Sequence, residues 1–142
     1  MTQEDKELLL KDLCSRLPYE VKCIIDEMYL TGDMIKGGYD KIQELYGITY
    51  EGNVELLNMD YHMPIESIKP YLFPLSSMTD EQRKEYEGII YKNIELHCER
   101  YYDVIDVDDF DCLIDFYHKN HLDYRGLIRL GLALDATNLN IY

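Results

Sequence analysis

The segments EVKCIID (residues 20–26) and IQELYGITYEGNVELL (residues 42–57) decide the fold. Every second residue from Val21 to Ile25 is apolar, which is the pattern of a strand that buries one face. The second segment holds two alternating runs around the turn sequence Glu-Gly-Asn, and this arrangement predicts a β-hairpin. Connections this short cannot carry a parallel crossover, so the pairing is predicted to be antiparallel. On one side of the hairpin's first strand we expect Ile42, Tyr46, Ile48 and Tyr50.

A helix is predicted before the first strand, over residues 3–16. Thr2 and Asp5 have the spacing of a capping box, with Asp in place of the usual Glu. Pro18 ends the helix because proline cannot donate to its hydrogen-bond ladder. The apolar positions that recur at i, i+3, i+4 and i+7 are Leu10, Leu13, Cys14 and Leu17.

Two more helices are predicted in the second half of the chain. Thr79 and Gln82 form another capping box, so a helix should run from Asp80 to at least Tyr86. For the last helix, Asp108 or Asp109 can act as the cap. Its apolar positions are Phe110, Leu113, Ile114 and Tyr117.

Four segments give weaker patterns. Residues 62–78 hold three prolines among apolar residues, which indicates an ordered connection lying on the core that could include a short helical turn. Residues 89–98 fit either a helix or a strand, and the alternation from Tyr102 to Val107 predicts a short strand. The apolar tail, 122–142, is expected to dock on the core.

Together these patterns predict one α+β domain over residues 1–142. It should contain a small antiparallel sheet with about three helices packed on one face. With 142 residues, of which 46% are apolar, the chain is able to build a core.

Acidic residues outnumber basic ones 28 to 14, which gives a net charge of −14. Each half of the chain carries 14 acidic and 7 basic residues, so the charge belongs to the whole domain and not to a tail. This balance argues against direct binding to nucleic acid, which needs a basic surface, and against anionic membranes. No apolar run is long enough to predict a membrane span, and the polar N-terminus does not fit a signal peptide.

The chain has four cysteines, Cys14, Cys23, Cys98 and Cys112, and no Cys-x-x-Cys pair. We expect reduced, mostly buried thiols in a cytoplasmic protein. A metal site could combine two of these cysteines with histidines, the five candidate ligands being His97, Cys98, Cys112, His118 and His121. Their spacing fits no zinc template, and His118 to His121 also fits a helix C-terminus, where positive charge complements the dipole. We therefore assign no metal residue.

The acidic run Asp106, Asp108 and Asp109 suggests an EF-hand, but the required Gly and Glu are absent from positions 6 and 12 of that loop. The sequence contains no serine-nucleophile or phosphate-loop signature either. We therefore assign no catalytic or cofactor-binding residue and predict no cofactor.

Fourteen tyrosines and no tryptophan complete the composition. Tyrosines suit half-buried sheet faces, and they equally suit a recognition surface for a protein partner with a basic surface. Acids lined up on one face would allow a third function, the imitation of DNA phosphates.

Several strings resemble a recurring group of small uncharacterised proteins from gut Bacteroides-type bacteria and from their phages or mobile elements. They are residues 1–14 with 16–19, 68–79, 120–128 and 131–136. The resemblance implies a cytoplasmic bacterial or phage origin. It implies no activity and carries over no functional residue.

The most motif-like string is DYRG, residues 123–126. Asp123 is expected to cap a turn and Arg125 to pair locally, although an arginine there could also recognise a carboxylate or phosphate. The leading functional hypothesis is a small, non-enzymatic protein-interaction module. The alternatives are an enzyme or ligand-binding domain with an unfamiliar site, and a DNA-mimic inhibitor.

Overall fold

The computed structural model describes residues 1–32, 40–57, 59–60, 62–99 and 107–142, with side chains described outside 92–99 and 107–109. Its helices are α1 (Gln3–Arg16), α2 (Asp80–Glu99) and α3 (Val107–Lys119). Its strands are β1 (Lys22–Ile25), β2 (Ile42–Ile48), β3 (Asn53–Leu56), β4 (His62–Pro64), β5 (Ile68–Leu72) and β6 (Leu134–Asp135). The predicted α+β class is confirmed.

The six strands form one sheet in the order β4-β3-β2-β1-β5-β6. Strands β1 to β4 form an antiparallel meander, and β5 returns to pair antiparallel with β1. Strand β6 pairs parallel with β5, so the sheet is mixed, and it is larger than the small antiparallel sheet predicted. The sheet is mixed because the tail adds a strand parallel to β5, and it is larger because the proline-rich segment contributes β4 and β5.

Helix α1 packs its apolar side on the sheet, but its buried face differs from the predicted one. Leu9 and Leu13 join the core, and the buried positions between and after them are Asp12 and Arg16. Cys14, predicted to face inward, is exposed. The buried positions of α1 therefore keep the i, i+3, i+4, i+7 spacing, but they lie one residue before the predicted ones. Two of them are charged residues.

The hairpin between β2 and β3 is confirmed, with Gly52 in the left-handed region (φ 82°) at its turn. The predicted shared side for its tyrosines and isoleucines is wrong. A β-bulge between Leu45 and Gly47 shifts the register, so Leu45 is buried and Ile48 packs on the core, whereas Tyr46 is exposed.

The proline-rich segment contains two strands, β4 and β5, and not only a connection. The backbone N–H of Asp26 donates to Ser67 O, which places Pro70 opposite Cys23 at a position that does not hydrogen-bond to β1. Proline is tolerated there because β1 requires no N–H from that residue. The predicted helical turn is also present, at Ile65–Ser67 and again at Leu75–Ser77.

The remaining elements follow the sequence more closely. Residues 89–98 are helical, because α2 continues past Gly88 to Glu99. Helix α3 begins at Val107, so Asp108 and Asp109 lie in its first turn and not at the cap.

The tail docks on the core through Leu127, Leu132 and Ala133. The strand predicted over 102–107 lies outside the described residues for all but its last position. Of the helices described, none is long and apolar enough to cross a bilayer.

Both predicted capping boxes are formed. At α2, the backbone N–H of Gln82 donates to Thr79 Oγ1 at 3.2 Å, and the Thr79 N–H donates to Gln82 Oε1 at 2.9 Å. At α1, Thr2 and Asp5 make the equivalent pair of bonds, and these bonds lower the pKa of Asp5.

Replacing Thr79 by Ala should lower the free energy of unfolding by about 1 kcal/mol, because the first turn of α2 loses its side-chain acceptor. Urea denaturation followed by circular dichroism measures the change. Ser76→Ala is the matched control, since Ser76 is exposed just before the cap and its side chain makes no hydrogen bond within the described part of the chain. Equal effects of the two substitutions would contradict the capping role.

Candidate functional site

A buried ion pair lies where α1 meets the segment after α3. Arg16 Nε donates to Asp12 Oδ2 at 2.7 Å, and both side chains are fully buried. The two residues are one helical turn apart, so α1 itself positions them. Arg16 Nη2 also donates to the carbonyl oxygen of Leu122 at 2.8 Å, which ties the helix to the segment that follows α3.

A second arginine reaches the same carboxylate. Arg125 Nε lies 3.2 Å from Asp12 Oδ1, and its guanidinium lies 4.8 Å from the ring centroid of Tyr124. The predicted local pairing of Arg125 is therefore wrong, because its partner comes from α1. The cluster holds two guanidinium groups on one carboxylate, and it carries a net positive charge inside an acidic protein.

Asp123 caps the turn that follows, as predicted. Its Oδ1 accepts from the backbone N–H of Leu127 at 2.7 Å, and its Oδ2 accepts from that of Ile128 at 2.9 Å. Gly126 lies in the left-handed region (φ 76°), where a side chain would be strained. The DYRG string thus builds the turn and delivers Arg125 to Asp12.

His118 closes the cluster from α3. Its side chain is buried, with Nε2 3.1 Å from the Tyr124 hydroxyl. Burial lowers the pKa of His118 to about 4, and the nearby Arg16 charge acts in the same direction. The imidazole is therefore neutral near pH 7.

His121 follows the end of α3 in an unusual backbone position. The backbone N–H of His121 bonds to His118 O and that of Leu122 bonds to Tyr117 O, which is a Schellman motif with His121 at its left-handed position (φ 51°). Glycine is the usual residue at that position. The His121 ring stacks on Tyr142, with 3.8 Å between ring centroids.

The ionisation of His121 resembles that of His118. Burial lowers its pKa to about 4, with Arg16 and Lys22 acting in the same direction. The two histidines do lie at the helix end, as predicted, but as neutral rings they do not supply the positive charge expected there.

The candidate metal ligands are placed in different surroundings. Cys112 is exposed, and His118 and His121 bond or stack with tyrosines. His97 and Cys98 belong to the side chains outside the described set. Within that set, no group of three His, Cys, Asp or Glu residues is arranged to hold a metal ion.

The prediction of mostly buried thiols is wrong for two of the three cysteines described. Cys14 and Cys112 are exposed, and Cys23 alone of the three is buried in the sheet. Burial raises the pKa of the Cys23 thiol.

A cleft of about 440 Å³ opens beside the cluster, between the start of β1, the end of α3 and the C-terminal segment. Tyr142 forms part of its wall and is held firmly, since its hydroxyl donates to Tyr71 O at 2.7 Å and accepts from the Lys22 backbone N–H at 3.2 Å. The lining residues are Pro18, Tyr19, Glu20, Lys22, Lys119, His121, Ile141 and Tyr142.

Four large apolar side chains are exposed on β2 and in the turns beside it. We refer to these four together as the β2 surface: Met28, Ile42, Tyr46 and Tyr50. Ile42 is paired in register with Ile24 of β1, and Met28 lies in the short helical turn Glu27–Tyr29, which closely follows β1. Tyr46 occupies the bulge, and Tyr50 belongs to the hairpin turn.

The charged and imidazole groups of the cluster are already engaged within the protein. The Asp12 carboxylate is occupied by two arginines, and the imidazoles of His118 and His121 are neutral and packed against aromatic rings. Comparisons of the chain with protein-family models, with curated proteins and with solved structures found no match.

Proposed function

We propose that this chain is an acidic, non-enzymatic interaction module that binds another protein with a basic surface through the β2 surface. The observation that carries the proposal is the exposure of large apolar side chains there. Tyr50 is 96% exposed, Met28 83% and Tyr46 71%. A cytoplasmic location and a bacterial or phage origin belong to the same proposal.

The backbone conformation exposes Tyr46 and Tyr50 to solvent. The bulge between Leu45 and Gly47 places Tyr46 outside the regular alternation of β2, and the hairpin turn displays Tyr50 at its end. Tyrosine and methionine are enriched in protein interfaces because they offer a large contact area. Removing apolar area from water stabilises a complex by roughly 25 cal/mol per Å², before the costs of association are subtracted.

The charge around this surface indicates the type of partner. Residues 20–60, which include the β2 surface, carry nine acidic and three basic residues. Two of the three basic residues are already paired, Lys22 with Glu44 and Lys41 with Glu27. The remaining acids favour a partner with a basic rim, and the association should weaken with salt.

The DNA-mimic alternative gains less support. On the sheet face opposite the core, Glu44 pairs with Lys22, and Glu55 lies 3.0 Å from His62 Nε2. An acid paired with a lysine, as Glu44 is, does not resemble a free phosphate.

The test is a comparison of variants in affinity capture. The immobilised chain is exposed to a lysate of its source organism at about 0.05 M and about 0.5 M NaCl, and bound proteins are quantified by mass spectrometry. Tyr46→Ser/Tyr50→Ser should lose a basic partner that the unchanged chain retains at low salt. Tyr91→Ser/Phe110→Ser is the matched control, because these aromatic residues are 63% and 52% exposed on α2 and α3.

The control variant should retain the partner as the unchanged chain does. Equal retention by both variants, or retention that does not respond to salt, would overturn the proposal. Circular dichroism of each variant establishes that a lost partner does not reflect a lost fold.

A further inference from the structure

We propose that the cleft beside His121 binds a small organic anion, an apolar or aromatic molecule that carries a carboxylate or phosphate group. This inference is independent of the β2 surface, which is built from other residues. The volume of about 440 Å³ falls within the range of roughly 300–1,000 Å³ that is typical of small-molecule sites.

The side chains that line the cleft are more basic than the chain as a whole. They include Lys22 and Lys119 and one acidic side chain, Glu20, whereas the whole chain has two acidic residues for each basic one. The guanidinium of Arg16 lies close by, since it bonds to the carbonyl oxygen of Leu122, the neighbour of His121. An oxyanion would therefore meet positive charge from two lysines at the rim and from the buried cluster behind them.

Both lysines are ion-paired with a glutamate, but at partly exposed positions. Lys22 pairs with Glu44 and Lys119 with Glu85, and these four side chains are between 24% and 48% exposed. Ion pairs at such exposure contribute about 0–1 kcal/mol, so a ligand oxyanion can compete for the ammonium groups at little cost.

One buried nitrogen atom of a cleft-lining residue, His121 Nδ1, lacks a hydrogen-bond partner in the described structure. Leaving such a group unsatisfied costs about 1–3 kcal/mol, so it is a position where a ligand atom or a bridging water would stabilise the protein.

The backbone of the cleft is also unusual. Glu20 (φ 53°) and His121 (φ 51°) line it, and they are two of the three non-glycine residues with positive φ in the described ranges. Non-glycine residues rarely adopt a positive φ, and the backbone strain that this causes is concentrated at functional sites. A histidine at position 121, where glycine is usual, provides the imidazole that stacks on Tyr142. The apolar part of the cleft wall comes from Pro18, Tyr19 and Ile141.

The test is a titration of the ¹⁵N-labelled full chain, followed by two-dimensional NMR. The probes are benzoate and phenyl phosphate, which share a ring and differ in the anion, with benzylamine as the cationic counterpart. We expect saturable shifts at the amides of Tyr19, Lys22 and His121, with a Kd of about 1 mM or tighter for at least one anion. Tighter binding of benzoate would identify a carboxylate ligand, and tighter binding of phenyl phosphate a phosphate ligand.

Lys22→Gln/Lys119→Gln should weaken binding of the anions about tenfold, which corresponds to ~1.4 kcal/mol. Lys6→Gln is the matched control, because Lys6 is also paired with a glutamate, Glu66, and lies against a different cleft. It should leave the Kd unchanged. The proposal is overturned if neither anion gives saturable shifts, if benzylamine binds as tightly as the anions, or if the two lysine substitutions leave the Kd unaltered.

Discussion

Replacing Asp12 by Asn should lower the free energy of unfolding by about 3–5 kcal/mol, the range for breaking a buried ion pair. The substitution keeps the size of the side chain but removes the charge that balances Arg16 and Arg125. Arg16 is completely buried, so it has no water to replace the lost carboxylate. Chemical denaturation by urea, with the midpoint and slope fitted separately, measures the loss.

The matched control is Glu66→Gln, which removes a carboxylate from the part-exposed pair with Lys6, at 2.8 Å. We expect less than about 1 kcal/mol there, because water screens that pair. If the two substitutions cost the same, the Asp12 pair does not have the isolation from solvent that its geometry indicates.

A double substitution distinguishes the cost of an unpaired buried charge from the cost of losing the two side chains. Asp12→Leu/Arg16→Met removes both members of the pair, and it should cost clearly less than the sum of the two single substitutions. Some loss will remain, because Leu122 O gives up the bond from Arg16 Nη2 and Arg125 gives up its partner. Additive costs would show that the two side chains do not depend on each other.

The local features of the fold could be predicted from the sequence. The caps of α1 and α2 were predictable because each depends on residues three positions apart, Thr2 with Asp5 and Thr79 with Gln82. The presence of the helices and of the β2–β3 hairpin was predictable for the same reason, since these patterns are local.

Non-local arrangements were not predictable. The parallel pairing of β6 and the position of Pro70 in β5 depend on partners distant along the chain. Proline predicts an irregular segment because it lacks a backbone N–H. The sequence does not show that the strand beside Pro70 requires no N–H from it.

The buried face of α1 was missed for a different reason. Asp12 and Arg16 occupy inward positions, and a search for apolar spacing reads charged residues as outward. The one available signal was their i, i+4 spacing within the stripe that Leu9 and Leu13 begin. The third participant, Arg125, is 113 positions from Asp12, and no pattern in one sequence joins them.

Acidification provides the second large effect, and it should destabilise the protein between about pH 6.5 and pH 4. In the folded state burial lowers the pKa of His118 to about 4, whereas an unfolded chain has the ordinary value of 6.5. As the pH falls through 6.5 the unfolded chain takes up a proton that the folded protein does not accept until about pH 4. Stability is therefore lost over that interval and is unaffected by this group above it.

The size of the effect follows from the shift. Each unit of pKa difference corresponds to ~1.4 kcal/mol, so His118 alone should cost on the order of 3 kcal/mol by pH 4. His121 acts in the same direction with a smaller contribution, because its ring is partly exposed and solvent screens it.

The measurement is a series of urea denaturation curves between pH 4.5 and pH 8. The unchanged chain should lose stability steadily below about pH 6.5, whereas His118→Gln should lose distinctly less over the same range. The comparison uses the slope with pH and not the absolute stability, because the substitution also removes the contact with the Tyr124 hydroxyl. Tyr124→Phe is the matched control, since it removes the same contact but keeps the imidazole, so its slope should match that of the unchanged chain. Identical slopes for the unchanged chain and His118→Gln would show that the imidazole of His118 accepts its proton in the folded state as readily as in the unfolded one.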